Sequence, residues 1–457
     1  MNHSNTKGIF LTDGKRFICQ FKSSAENSHF VLTIFWITIL FQLTTLKYIW
    51  DIEGLSRFFN LAALLIVSVY AAYSVISHQF NKNIWQFYIL PGSLVFIGML
   101  LNITLNSINN YNLISYFGLT IPWAVYLAMP FLLKKNAHAG ETLWHYFYYF
   151  MLVTVFLGLL DYFLTFSGLS SLRIIATPYG EFLAGRFSIL HLLGDGSAHN
   201  RFHACFAEPG TLAMFLLPVI VYAYYKKRYI GLAIFMVGFY LSYSLGGMIS
   251  FALIIPLVLF ISTNKRRIPL VIPAFIVIIV SAVIVITFMG DFTVAYDEKD
   301  SSRTDRTDNF WGVINNLPTM LVNNPIGVKL AEDTASNIKN ENYYGSNFTP
   351  GNALQMGGIM AFLGYLVVLL VSLVVALLSI IRKSIPLEEK IVFCSLIVLF
   401  PFIFQRTTVW DSAIFAFLFA PSIIRFLQSR SRVRILLEQP QLRLGVSAYK
   451  ISGSSTV

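Results

Sequence analysis

Residues 354–381 read LQMGGIMAFLGYLVVLLVSLVVALLSII and stop at Arg382-Lys383. No Asp, Glu, Lys or Arg interrupts the run. A bilayer core needs about 20 mostly apolar residues in helical form, so this stretch is long enough to span one. The same texture recurs on both sides of it. Further runs lie near 29–49, 58–77, 85–103, 113–133, 143–165, 209–225, 229–243, 246–263, 268–289, 391–405 and 411–427, which makes about twelve. Ser244-Leu245-Gly246-Gly247 leaves almost no loop between two of them, as a tight helical hairpin requires. The expected fold is all-α. A single transmembrane domain covers 29–427, between a polar tail at 1–28 and a basic tail at 428–457.

Composition agrees. Of 457 residues, 56% are hydrophobic and 12% charged. A soluble chain carries about 25% charged residues. A cytosolic enzyme and a disordered chain are thereby excluded. Cys19, Cys205 and Cys394 are too few and too scattered for a disulfide scaffold or a structural zinc site. The net charge of +11 is a topology signal, not the mark of a nucleic-acid partner. Of 33 Lys and Arg, 22 fall in the two tails and alternate loops, against 6 of 22 acids. By the positive-inside rule that side is cytoplasmic, and so are both termini. No cleavable signal peptide is expected in the first 28 residues, which are polar and precede a full-length span.

Two outer segments are long, 167–208 and 291–352. Loops of this length in a compact protein usually carry function. In the first, the mostly apolar stretch Phe182–Leu193 suggests an interfacial or re-entrant element. In the second, Ser302 can cap a short helix on which Arg303, Arg306 and Phe310 share a face. No internal repeat is present, and no Asp, Glu, Lys or Arg lies mid-span; Asp161 is nearest, by the outer end of the fifth run. Both features argue against a coupled transporter.

The candidate chemistry sits in the long loops. Arg201, His203 and Glu208 converge just before the run that starts at Pro209. A structural reading stands beside the catalytic one: Glu208 caps that helix and Arg201 pairs with it. Arg303 and Arg306 form a second candidate group, and Asp300, Asp305 and Asp308 are near enough in sequence to pair with them instead. Arg173 and Arg186 in the first loop are candidate substrate ligands. Trp311, Tyr343 and Tyr344 can stack on sugar rings or form the small core of the second loop.

Four motifs, in order, resemble the O-antigen polymerase and ligase superfamily, and within it the polysaccharide polymerases. They are Arg201 with Phe206-Ala207-Glu208-Pro209-Gly210; Leu241-Ser242-Tyr243-Ser244-Leu245-Gly246-Gly247; Arg306 and Trp311 followed by Asn324-Pro325-Ile326-Gly327-Val328; and Asn352-Ala353-Leu354 leading into Gly357-Gly358-Ile359. Two departures stand out. Leu245 occupies a position where the family turn often has arginine, and Gly351 stands beside Asn352 where ligases have a histidine. The second departure favours a polymerase. The resemblance implies a bacterial inner-membrane glycosyltransferase. It joins polyprenyl-pyrophosphate-linked repeats at the outer leaflet to make O-antigen, capsule or exopolysaccharide, with a chain-length regulator as a partner.

Arginine suits that reaction because its fork binds phosphate oxygens bidentately and stays charged. With arginines on the leaving group no metal or other cofactor is required. Glu208, then His203, is the candidate general base, and Asn352 joins the substrate ligands. In a bacterial protein the Asn-x-Thr strings at Asn102 and Asn347 carry no glycosylation meaning. Three alternatives remain. One is a ligase of the same superfamily. Another is a metal-dependent lipid-linked glycosyltransferase using Asp51 and Glu53, which a chelator would inactivate. The third is a non-enzymatic glycolipid flippase.

The charge split generates a topology prediction. Reporter tags at either terminus should be cytoplasmic, and Asn337→Cys should react with impermeant thiol reagents in cells whose outer membrane is permeabilised. Labelling only after lysis would reverse the orientation.

Overall fold

The computed structural model describes residues 81–106, 120–135, 139–169, 173–177, 180–185, 189–192, 201–206, 209–262, 311–328, 349–382, 385–400 and 413–438, with Val69 and Phe402. The expected runs at 29–49, 58–77 and 268–289 lie outside them. The other runs are mainly helical over their described residues. In chain order the helices are α1 (Lys82–Asn106), α2 (Ile121–Lys135), α3 (Ala139–Phe166), α4 (Pro209–Tyr225), α5 (Tyr229–Leu241) and α6 (Leu245–Ser262). They continue with α7 (311–323), α8 (Thr349–Ile381), α9 (Leu387–Leu399) and α10 (Ala413–Glu438). Lys82–Asn106, Gly140–Phe166 and Pro350–Ile381 are long and apolar enough to cross a membrane, and four shorter apolar helices accompany them. This is a multi-pass membrane protein.

The bundle is helical, as expected, with one departure in the first long loop. Strands β1 (Arg173–Thr177), β2 (Gly180–Ala184) and β3 (Ile189–Leu192) form an antiparallel sheet in the order β1-β2-β3. Ile175 opposes Phe182, which opposes Leu192 on the other side. Within the stretch expected as an interfacial or re-entrant element, 182–184 and 189–192 are strand. Cross-strand pairing satisfies the backbone there, which an apolar segment at a membrane boundary needs.

Charged side chains gather at the opposite end of the bundle. Lys226 Nζ lies 2.8 Å from Glu388 and 3.9 Å from Glu141, and Arg425 lies 3.6 Å from Glu389. The hydrogen bond to Glu388 holds the Lys226 ammonium above its ordinary pKa. Glu388 and Glu389 occupy the first turn of α9, where negative charge suits the helix dipole. The Arg228 guanidinium lies 4.4 Å from the centre of the Tyr148 ring.

Between the ends, α1 and α8 approach so closely that their backbones nearly touch. A Cβ on Gly98 would come within 2.6 Å of the Gly357 carbonyl, and one on Gly364 within 2.5 Å of the Pro91 carbonyl. Small residues permit such a crossing where dispersion, not water exclusion, holds helices together. A π-helical turn at Trp85–Ile89 precedes Pro91, whose missing N–H interrupts the helical ladder there. Tyr88 stacks on Tyr126 of α2 with centroids 4.0 Å apart and donates to its carbonyl at 2.7 Å.

Helix α8 breaks at Gly357 (φ −151°, ψ 15°) and Gly358 (φ 63°, ψ −157°). The segment 324–328 after α7 inserts there. Val328 N donates to Gln355 O at 2.8 Å, and Ile359 N donates to Pro325 O at 3.0 Å. A side chain at Gly358 would run into the carbonyl of Pro325.

Gly358 therefore has both a backbone conformation reserved for glycine and no space for a Cβ. Strain of this kind costs about 1–3 kcal/mol before the clash is added. Gly358→Ala should lower the unfolding temperature in detergent, measured by intrinsic fluorescence. An unchanged transition would mean that the break is not held by segment 324–328.

Candidate functional site

The first two sequence motifs meet at the loop-bearing end of the bundle. Helix α5 ends at Leu241, and Tyr243 takes a left-handed conformation (φ 44°) that turns the chain. Ser242 is buried and its hydroxyl donates to Phe239 O at 2.7 Å. Ser244 Oγ accepts from Gly247 N at 3.2 Å, capping α6 in the usual way. A Cβ on Gly247 would press on Ala213 of α4 at 2.8 Å, so this glycine lets the hairpin pack against α4.

Residues 201–206 lie along that turn. Phe202 N donates to Leu241 O at 3.0 Å. Arg201 Nε donates to Ser242 O at 3.4 Å, and its Nη2 donates to Tyr243 O at 3.3 Å. One guanidinium thus takes up two carbonyls at a helix C-terminus, where positive charge is also favoured by the dipole. Phe202 is fully buried and meets Tyr162 edge-on at 5.7 Å. Gly158 on α3 makes room for Ala204, and Gly238 on α5 makes room for Phe202. His203 is buried at 6% exposure and closes a turn through Phe206 N to His203 O at 3.1 Å. The structure thus gives Arg201 a backbone partner that sequence reasoning did not anticipate.

Sequence reasoning noted Asp161 only by its position near the end of a run and gave it no role. It is 3% exposed, and its carboxylate occupies the space a side chain on Gly185 would need. This contact fastens the end of β2 to the C-terminal turns of α3. The third and fourth motifs come together as the insertion of 324–328 into the break of α8. Trp311 begins α7 and is 53% exposed, whereas Val313 and Met320 on the same helix are buried. Asn352 is half-buried in the first turns of α8. Arg173 opens β1 opposite Ala184. Glu208, Arg186, Arg303, Arg306, Tyr343 and Tyr344 lie outside the described residues, as do Asp51, Glu53 and the helix expected from Ser302.

Asn102 is the largest surprise. The sequence offered it as part of an Asn-x-Thr string, yet it is wholly buried and hydrogen-bonded to the last carbonyls before the α8 break and to Val328 of the inserted segment. A usable signal was present: Asn102 and Asn106 stand four residues apart at the end of an apolar run, and polar pairs there usually serve a purpose.

Cys205 sits among these groups without their polarity. Burial pushes its thiol up to about 12, against a hydrogen bond with Thr154 that pulls the other way. A raised value keeps it protonated through neutral pH, so it is no nucleophile. With Cys19 and Cys394 replaced by serine, Cys205 should resist maleimide in the native protein at about pH 8 and react on denaturation. Fast native labelling would show an open site around it.

Residues 230–351 match the family model described as O-antigen ligase (Wzy_C), a stretch running from the start of α5 to the first turn of α8. No curated protein and no solved structure matches the chain. The match shows that segment 230–351 of this membrane protein is a domain of the O-antigen polymerase and ligase superfamily.

Proposed function

We propose that the protein polymerises polyprenyl-pyrophosphate-linked glycan repeats at the outer face of the bacterial inner membrane, with both termini in the cytoplasm. The family match supports a lipid-linked glycan as substrate. Gly351 beside Asn352, in place of a ligase histidine, carries the choice of polymerase. The matched family's description as O-antigen ligase favours the second reading, transfer of finished chains to a lipid core.

In the proposed step an acceptor sugar hydroxyl attacks the anomeric carbon of the donor. The new glycosidic C–O bond forms as the bond to pyrophosphate breaks, and the electron pair leaves on the pyrophosphate oxygen. The hydroxyl proton passes to Glu208, or in the second assignment to His203. Arg201, Arg303 and Arg306 receive the developing negative charge. Arg173 and Arg186 bind further phosphate or sugar oxygens, Trp311, Tyr343 and Tyr344 stack on sugar rings, and Asn352 holds the acceptor. A chain-length regulator would act on the same membrane face. The chemistry assigned to this chain requires no metal.

Arg201 illustrates why lysine is a poor replacement. Its Nε and Nη2 reach two different carbonyls, a geometry one ammonium does not reproduce. Removing a donor from a water-excluded anionic site costs roughly 3–4 kcal/mol, about a hundred- to a thousandfold in rate. Arg201→Lys, and at least one of Arg303→Lys and Arg306→Lys, should abolish polysaccharide ladders at normal protein abundance. Lys329→Ala and Lys339→Ala should leave them intact. Ladders of normal length from all three arginine variants would remove the proposed site. In a deletion strain, single lipid-linked repeats without ladders mean polymerase, and ladders that never reach the lipid core mean ligase.

A further inference from the structure

Two amides lie one turn apart at the C-terminal end of α1. Asn102 Nδ2 faces three carbonyl oxygens, those of Met356 at 2.9 Å, Gln355 at 3.2 Å and Val328 at 3.3 Å. Asn106 Nδ2 donates to Asn102 Oδ1 at 2.7 Å and to Gly327 O at 3.1 Å. Carbonyls only accept, so the nitrogen of Asn102 must point at them. Its two hydrogens serve three acceptors, which makes at least one bond shared. Asn106 fixes that orientation by donating to the other end of the amide.

The acceptors come from two places. Gln355 and Met356 lie on the turn that ends at the α8 break, and Val328 belongs to the segment that follows α7. One side chain of α1 therefore joins α1, α8 and the end of the long loop. Helix gluing alone does not explain it. The α1–α8 crossing is already tight through Gly98, Gly357, Ala361 and Gly364, and none of these reaches Val328 or Gly327 by a side-chain hydrogen bond. Backbone hydrogen bonds already tie the segment to α8, and what the amides add is its bond to α1. A Cβ on Gly327, whose φ is 114°, would itself meet Asn102 Nδ2 at 2.8 Å, so the segment is seated against this amide.

The structure assigns Asn102, oriented by Asn106, a positioning role: it fixes segment 324–328, and with it α7, on the α1–α8 crossing, so that the loop keeps its register to the bundle during glycan transfer. The role in transfer rests on the polymerase reading; the clamp itself does not. Neither asparagine lies within the matched segment 230–351, while the backbone that Asn106 holds does. The apolar surroundings make the amides consequential. Asn102 is fully buried, so removing its donors leaves buried carbonyls short of a partner, which is costly.

The test uses the full-length protein in two assays. Nitroxide labels go on Val322 of α7 and on Leu169 after α3, both more than three-quarters exposed (79% and 77%). Native cysteines are first replaced by serine. The inter-label distance should be narrow in the parent and broadened in Asn102→Leu. Asn106→Leu leaves the Asn102 donors in place and should broaden it less, which keeps a readable variant if Asn102→Leu fails to fold. The transfer assay uses lipid-linked repeats purified from a polymerase-deficient strain. There kcat should fall about tenfold to a hundredfold in Asn102→Leu with little change in KM, since misplacement by an ångström has that effect on rate. Unchanged distances in both variants overturn the clamp. Broadened distances with parental kcat overturn its part in transfer. A parent protein that fails to transfer sinks the polymerase reading, and the distances then judge the clamp alone.

Discussion

A backbone that leaves the helical ladder inside a membrane must find partners within the protein, because the bilayer core supplies none. Helix α8 leaves it at Gly357-Gly358. The rest of the loop-bearing end is organised around that break. Its carbonyls are taken by Asn102 and by Val328 N, and the amide of Ile359 is taken by Pro325. Each bond is worth only about 0.5–1.5 kcal/mol net, but leaving a buried group unpaired costs about 1–3 kcal/mol. The arrangement is consequently all or nothing. The loop segment, the glycines and the asparagine stabilise one conformation together, and each is costly without the others.

The second assembly obeys the same accounting at the membrane boundary. The tight turn between α5 and α6 presents carbonyls at a helix end, and Arg201 covers two of them. Holding the arginine in this way removes much of its rotameric freedom, and in the proposed reaction such preorganised charge faces the departing pyrophosphate. Asp161, packed on Gly185, secures the neighbouring sheet to α3. Both elements are built from residues on different helices, so the geometry of the polar loop is inherited from the packing of the apolar bundle beneath it.

Much of this was legible in the residues. Long uncharged runs can only be membrane helices, and the brief Ser244–Gly247 link can only be a tight turn, because both follow from the cost of exposing backbone and apolar surface. The four motifs were readable as separate strings. That Arg201 would meet Ser242 and Tyr243, or that Pro325 would meet Ile359, was not. Those pairs are separated by 41, 42 and 34 positions, and no local period encodes them. The sheet was missed for a related reason. A short apolar run such as Phe182–Leu193 has the same composition whether it lies in lipid or pairs with a neighbouring strand.

Asn102 marks the dividing line. The sequence by itself determined a helical membrane protein of a recognisable superfamily, since hydrophobicity and charge act residue by residue along the chain. Only the tertiary structure decided what an isolated amide in an apolar helix was for. A hydrogen bond needs a partner at a set distance and direction, and the partners of Asn102 lie 226, 253 and 254 residues away. They come within reach only because Gly98 and Gly357 let two helices cross nearly in contact.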